Sequence, residues 1–311
     1  MVGVAAALMA GCSSDSDTTA TTPKPVETIV APPNAAAATT VPIATTTLLP
    51  SATRIVADLN AEGIAALLTR IEQAAATGDG SGGARQQLLY RYMSAHPDLD
   101  AAVLAAVSDD VRPYVERIVS ARQFAQARQA TNPSSTPPSD VLPAWTVIDP
   151  LPADELLRYY NDAEAATGIA WYWLAAIHLQ ETRMGRIIGR SSAGAVGPMQ
   201  FLPTTWEQCC TGDPLQPRDA IIGAATYLSK SGGPSDMPGA LHDYNPSDSY
   251  VATVTAFAEN MRDNPNLYSA YREWQVFYAS SAGTVRLPVG YTQAQPIDAA
   301  TYIADHPQDA G

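Results

Sequence analysis

The chain is poor in basic residues, in cysteine and in long apolar runs. Over 311 residues, 31 Asp and Glu outnumber 18 Lys and Arg, so the formal net charge is −13. This balance argues against a nucleic-acid binder, which needs a basic face to neutralise phosphates. No apolar run approaches the about 20 residues that cross a bilayer, which excludes a polytopic membrane protein.

The cysteines and histidines lack the spacing that is typical of a metal site. The three cysteines are Cys12 and the adjacent pair Cys209 and Cys210, and no spaced Cys/His set completes a zinc pattern. We therefore expect no metal and no other cofactor. The adjacent pair allows either a vicinal disulfide or two reduced thiols, and its spacing does not choose between them.

The first 12 residues resemble a bacterial lipoprotein signal peptide. Small and apolar residues from Val2 to Gly11 end at Cys12, and polar residues follow at once. The resemblance to a lipobox implies acylation of Cys12 and a lipid anchor in the membrane. No basic residue precedes the run, as a signal peptide requires, so an apolar N-terminus with a chance cysteine is the alternative.

Composition divides the next part of the chain into three segments. Residues 13–50 are dominated by Thr, Ala, Pro and Ser and predict a disordered tether. Apolar residues at helical spacing over 51–130 predict a small module of four helices, for which we favour a spacer or scaffold role. Residues 131–144 are rich in Pro and Ser and predict a linker.

All five tryptophans lie beyond this linker and mark the main folded domain at residues 145–291. Gly and Pro separate helical patterns there, so we predict a mainly α-helical domain. The last pattern predicts one helix whose apolar face holds Leu267, Tyr271, Trp274 and Tyr278. A short strand is predicted near 284–291, and a flexible tail over 292–311.

Glu181 continues the apolar face of a predicted helix that ends near Arg183. Ala170, Leu174, Ile177 and Glu181 step by four, three and four residues, so they share one face. A carboxyl on that face is partly desolvated, which raises its pKa toward the value that a general acid needs. The alternative, that Glu181 faces solvent or pairs with a following arginine, has equal weight on periodicity alone.

The residues around Glu181 resemble a known family. The run Glu181-Thr182-Arg183-Met184-Gly185 is followed by Ala193-Gly194-Ala195-Val196-Gly197-Pro198-Met199-Gln200-Phe201, and later by Tyr244-Asn245. This order of motifs resembles lytic transglycosylases of the goose-lysozyme superfamily, nearest to the membrane-bound lytic transglycosylase B branch. The resemblance covers roughly residues 150–290 and implies a lysozyme-like helical catalytic domain.

The resemblance implies cleavage of the β-1,4 bond between N-acetylmuramic acid and N-acetylglucosamine in peptidoglycan, with a 1,6-anhydro ring as product. Glu181 matches the catalytic glutamate, which protonates the leaving oxygen and then accepts the proton of the muramic C6 hydroxyl. Ser191 and Gln200 match positions that hydrogen-bond substrate near the cleaved bond. Tyr244 matches an aromatic residue that contacts or orients the acid, and Asn245 is expected to brace its loop.

Two other functions stay open. A muramidase would use water and a second polar group, because ordinary glycosidases place two carboxylates about 5–10 Å apart; the sequence identifies no such group. A cell-wall-binding lipoprotein would keep the groove without chemistry. For the enzyme we expect peptidoglycan as the partner, no nucleic acid, a monomeric state, and a place outside the cytoplasm where the lipid anchor holds it facing the wall.

Neighbours of the acid are assigned structural roles. Arg183, Arg186 and Arg190 have two interpretations, contacts with carboxylates of the glycan or surface ion pairs after a helix end, and we favour the surface. His178 is interpreted as a packing residue rather than a ligand, because no second histidine completes a zinc-peptidase motif.

Overall fold

The computed structural model describes residues 59–133 and 137–311. Cys12 and the tether predicted for 13–50 lie outside these ranges. The described residues are mainly α-helical with a few short strands, which confirms the predicted fold class and is consistent with a lysozyme-like domain. Within them, no helix has the length and apolar character needed to cross a membrane.

Twelve α-helices lie in the described ranges. They are α1 Ala61–Ala76, α2 Gly83–Ala95, α3 Asp100–Ala106, α4 Arg112–Thr131, α5 Ala153–Thr167, α6 Trp171–Thr182, α7 Pro203–Cys209, α8 Pro217–Lys230, α9 Met237–Tyr244, α10 Asp248–Asp263, α11 Tyr268–Arg272 and α12 Ala299–Asp305. Local signals set several of these ends. Asn60 caps α1 by accepting a hydrogen bond from the Gly63 amide, and Ser247 caps α10 by accepting one from the Tyr250 amide.

The strands form three antiparallel pairs. They are β1 Val141–Leu142 with β6 Ile297–Asp298, β2 Thr146–Val147 with β3 Ile187–Ile188, and β4 Val276–Ser280 with β5 Gly283–Leu287. Two of the pairs join residues that are distant in the sequence. The segment before α5 is thereby tied to the C-terminal part of the chain and to the residues that follow α6.

The first four helices share their core with the helices that follow. Buried apolar side chains of α1 to α4 and of α5 to α11 belong to one hydrophobic cluster. Polar contacts join the same elements: Trp274 donates to Gln86 at 2.8 Å, and Arg117 of α4 donates to Asn260 of α10 at 3.0 Å. Residues 61–131 therefore pack directly against the segment that carries the candidate acid.

The C-terminal residues form a second, smaller core instead of a flexible tail. Its buried residues include Trp145, Leu287 and Tyr302, and Asp309 is 2% exposed while its carboxylate pairs with Arg286 at 2.6 Å. The flexible tail predicted for 292–311 is therefore wrong. Its polar composition hid the fold, because the segment is held by partners far away in the sequence.

The single helix predicted through Leu267 and Tyr278 is also wrong. Helix α11 ends at Arg272, and Tyr278 lies in strand β4, where it pairs with Val285 of β5. The strand predicted near 284–291 is present as β5, which begins at Gly283 and ends at Leu287. Short apolar runs suit a helix or a strand equally, and pairing with β5 decides the outcome here.

Candidate active site

Glu181 lies in the last turn of α6, the most deeply buried helix around the site. Every residue from Leu174 to Gln180 is buried, whereas Glu181 keeps part of its surface accessible. The apolar face inferred from periodicity therefore leads from the core to the edge of a cleft. A carboxyl at such an edge is desolvated and can still meet a ligand.

The Glu181 carboxyl has one hydrogen-bond partner among the described side chains. The Tyr250 hydroxyl of α10 donates to its Oε1 at 2.7 Å. Burial raises the pKa of Glu181 to about 7, while the Tyr250 hydrogen bond and the positive charge of Arg183 act in the opposite direction. No other carboxylate of the described chain contributes to this shift. Near neutral pH the acid is thus populated in both its protonated and its ionised form.

Aromatic rings form one wall beside the acid. The rings of Tyr244 and Tyr250 are stacked with centroids 6.5 Å apart, and Phe201 meets Tyr244 edge-on at 5.5 Å. Trp206 continues the wall at 5.1 Å from Phe201. Burial raises the pKa of Tyr244 well above its ordinary value, and the charge of nearby Glu181 adds to this effect.

The turn after α6 brings a second segment against the acid. Arg183, Met184 and Gly185 all have positive φ, so the chain reverses directly after Thr182. The Thr182 hydroxyl accepts from the Gly185 amide at 3.1 Å and donates to the Pro198 carbonyl at 2.6 Å. Thr182 is fully buried, so this hydroxyl fastens the loop that follows to the end of the acid-bearing helix.

The loop from Ser191 to Phe201 is held by its own polar groups. The Ser191 hydroxyl accepts from the Ala195 amide at 3.0 Å, and the Gln200 amide donates to the Gly197 carbonyl at 2.8 Å. Gly197 has a φ of 75°, and a Cβ there would lie 1.9 Å from the Pro214 carbonyl oxygen. Only glycine fits this close approach.

The predicted site residues lie on the elements around this acid, although none of them hydrogen-bonds to it. The Tyr244 hydroxyl donates to the Met199 carbonyl at 2.5 Å, so Tyr244 joins α9 to the loop. Asn245 follows α9 as its C-cap and leads into Ser247, the cap of α10. The structure therefore places Tyr244 and Asn245 next to Tyr250, the residue that contacts the carboxyl.

Tyr250 is the functional residue that sequence reasoning missed. It shares the apolar face of its helix with Val254, Phe257 and Met261, all buried, so it is easily taken for a core residue. The available signal was its hydroxyl, because a buried tyrosine usually has a hydrogen-bond partner. The sequence does not show that this partner is Glu181.

The surface interpretation of the arginines after the acid is wrong for two of the three. Arg183 is 3% exposed and Arg186 is 7% exposed. Arg186 contacts Asp149 at 3.4 Å and donates to the Arg272 carbonyl at 3.2 Å. Arg190 is exposed, as expected. Charged side chains are buried here because the reversing turn folds them back under α6.

Two further residues fit inert roles. His178 is 1% exposed, shares a 2.7 Å hydrogen bond with Tyr160, and has its pKa lowered to about 3 by burial, so it is neutral. Cys209 and Cys210 form a vicinal disulfide at the end of α7, which decides between the two states that the sequence allowed. Across residues 59–133 and 137–311, no group of three or more His, Cys, Asp or Glu side chains is arranged to hold a metal ion.

Fold and site together define a mainly α-helical protein with a partly buried carboxylic acid beside an aromatic wall. No protein-family model matches the chain, and no solved structure matches it. It is similar to a curated protein of Thiobacillus denitrificans, the membrane-bound lytic murein transglycosylase F, at 25% identity over 147 residues. The match covers 45% of this chain and 31% of that protein, so the chain aligns with about a third of its relative.

Proposed function

We propose that this protein is a peptidoglycan lytic transglycosylase that cleaves the β-1,4 bond between N-acetylmuramic acid and N-acetylglucosamine. The similarity to a lytic murein transglycosylase supports the reaction class, and the motif order around Glu181 agrees with it. On those motifs we place the chain nearest to the B branch, although the relative that it matches is named as type F. The observation that carries the proposal is the state of the Glu181 carboxyl.

In the first step, Glu181 acts as the general acid. Its pKa of about 7 keeps much of the population protonated at neutral pH, so it transfers its proton to the glycosidic oxygen as the bond to the anomeric carbon breaks. The N-acetylglucosamine end leaves as an alcohol. Glu181 is left as a carboxylate, which accepts the 2.7 Å hydrogen bond from Tyr250.

In the second step, the same carboxylate acts as the base. The muramic C6 hydroxyl forms a bond to the anomeric carbon and transfers its proton to Glu181, which closes the 1,6-anhydro ring and restores the acid. Because the nucleophile belongs to the substrate, the reaction needs no second protein carboxylate, unlike a two-acid glycosidase. This requirement agrees with a Glu181 environment in which no other carboxylate affects its pKa.

The remaining site residues are assigned binding and support roles. Ser191 and Gln200 lie on the loop that Thr182 fastens to the acid-bearing helix, and we propose that they hydrogen-bond the sugar near the cleaved bond. Tyr244 forms part of the aromatic wall and supports Tyr250 by stacking. Asn245 braces the junction between α9 and α10.

The proposal extends to the cellular setting. A lipid on Cys12 and a Thr/Ala/Pro-rich tether would hold a monomeric enzyme outside the cytoplasm, within reach of peptidoglycan strands. Labelling of cells with a radioactive or clickable fatty acid, compared between the full chain and a Cys12→Ala variant, tests this anchor. Equal label in both proteins would refute it.

Digestion of purified peptidoglycan tests the reaction itself. Mass spectrometry of the released fragments separates three outcomes: anhydro-muramic ends indicate the transglycosylase, reducing ends a muramidase, and no fragments a binding protein. A Glu181→Gln variant should release no product above background. Anhydro product at the parent rate from this variant would refute the mechanism.

A further inference from the structure

Arg183 occupies a backbone conformation that does not suit an arginine. It follows α6 directly with a φ of 55°, and Met184 after it has a φ of 60°. Helices that end in a left-handed residue usually place glycine or asparagine there, since a side chain with a Cβ costs about 1–2 kcal/mol. An arginine at this position therefore implies that its side chain supplies a compensating interaction.

That side chain is a buried positive charge without a paired carboxylate. Arg183 is 3% exposed, its Nη1 donates to the Leu179 carbonyl at 2.6 Å, and its Nε has no hydrogen-bond partner. Other buried arginines differ: Arg122 pairs with Asp100, and Arg186 contacts Asp149. Within residues 59–133 and 137–311, no ion pair joins Arg183 to an acid. A desolvated charge without a counter-charge is unfavourable.

Two charged groups act on this guanidinium. Burial lowers the pKa of Arg183 to about 10, the like charge of Arg91 lowers it further, and Glu181 raises it. Arg91 belongs to α2, and its guanidinium carbon lies 4.1 Å from the centroid of the Phe277 ring. Glu181, two residues before Arg183, is thus the acid that faces it. From α10 and α9, Tyr250 and Tyr244 complete the set of ionisable groups that act on Glu181.

Resting on the proposed function, we propose that Arg183 is a positioning residue whose guanidinium stabilises the Glu181 carboxylate that remains after proton donation. A protonated Glu181 offers no countercharge, whereas the carboxylate does. The unfavourable burial of Arg183 is therefore relieved in the half of the cycle in which Glu181 must wait as a base. The helix end holds this charge in place before substrate binds, so little reorganisation is needed.

The test follows the ionisation of Glu181 itself. Protein labelled with 13C at the glutamate side-chain carboxyl is titrated by NMR, and the Glu181→Gln variant assigns the resonance. In Arg183→Gln, which keeps a donor for the Leu179 carbonyl without the charge, the Glu181 titration should move up by about one pH unit. Arg183→Lys keeps the charge and should titrate within about half a unit of the parent. The matched control Arg186→Met removes a neighbouring buried arginine and should also stay within about half a unit.

These outcomes separate the inference from the proposed reaction. An unchanged Glu181 titration in folded Arg183→Gln, or an equal shift in Arg186→Met, would overturn the role of Arg183 whatever the enzyme does to peptidoglycan. If Arg183→Gln does not fold, an upward shift of about one unit in Arg183→Lys would overturn it in the same way. With activity present, the basic limb of the pH–rate profile should move by the same amount as the NMR titration. Absence of activity in the parent would refute the proposed function and leave the titration test intact.

Discussion

The hydroxyl of Tyr250 should set the pH range in which the protein is active. A hydrogen bond to a charged group contributes about 1.5–3 kcal/mol, and one pKa unit corresponds to about 1.36 kcal/mol. Tyr250 donates to Glu181 at 2.7 Å and thereby favours the ionised form. Removing this donor in Tyr250→Phe should therefore raise the pKa of Glu181 from about 7 by about one to two units.

The assay is the pH dependence of anhydro-muropeptide release from purified peptidoglycan. A general acid works only while protonated, so activity falls on the basic side as Glu181 ionises. In Tyr250→Phe this basic limb should move to higher pH by about one to two units. The maximal rate should also fall, because the carboxylate that acts as the base has lost its hydrogen bond.

Tyr227→Phe is the matched control for this change. Tyr227 belongs to the same aromatic wall, with its ring 5.6 Å from that of Tyr244, but its hydroxyl donates to the Asp243 carbonyl at 2.9 Å. Its loss should leave the basic limb unchanged. The reasoning fails if folded Tyr250→Phe keeps the parent limb, or if both variants move it equally.

Three other changes give distinct outcomes. Glu181→Gln should be more stable than the parent at pH 8 by up to about 3 kcal/mol and equal to it at pH 4, since a folded pKa of about 7 against a model value of 4.5 penalises the fold once pH exceeds the unfolded value; urea unfolding at both pH values measures this, and no gain at pH 8 contradicts it. Gly197→Ala should lose most activity, because its Cβ would overlap a carbonyl oxygen, whereas Gly194→Ala has open space and the same sign of φ; equal rates in the two would argue against the close approach. Thr182→Val should lower the free energy of unfolding by about 1–3 kcal/mol through loss of buried hydrogen bonds, and an unchanged denaturation midpoint would contradict this.

Local pattern was sufficient for the acid and its helix. Leu174, Ile177 and Glu181 repeat at helical spacing, and this periodicity is a property of consecutive residues. Structure confirms the helix and carries its apolar face to the edge of a cleft. The same pattern left open whether Glu181 was buried, because one residue at the end of a stripe can turn either way.

Composition misled where distant partners decide the structure. Residues 292–311 look like a polar tail, yet Asp309 is buried against Arg286, which belongs to β5. Likewise, the apolar residues from Leu267 to Tyr278 suit a helix until β4 pairs with β5. In both cases the deciding energy is a pairing that no short window of sequence contains.

By itself, the sequence determined the mainly helical class, the helix that presents Glu181 and the glycine-rich loop after it, since helix periodicity and glycine conformation are local properties. Tertiary packing alone decided that Tyr250, 69 residues beyond Glu181, donates to its carboxyl and that Arg183 is buried beside it. The proton affinity of a carboxyl depends on desolvation and on charges within a few ångströms. Those surroundings exist only once α6 and α10 have packed together.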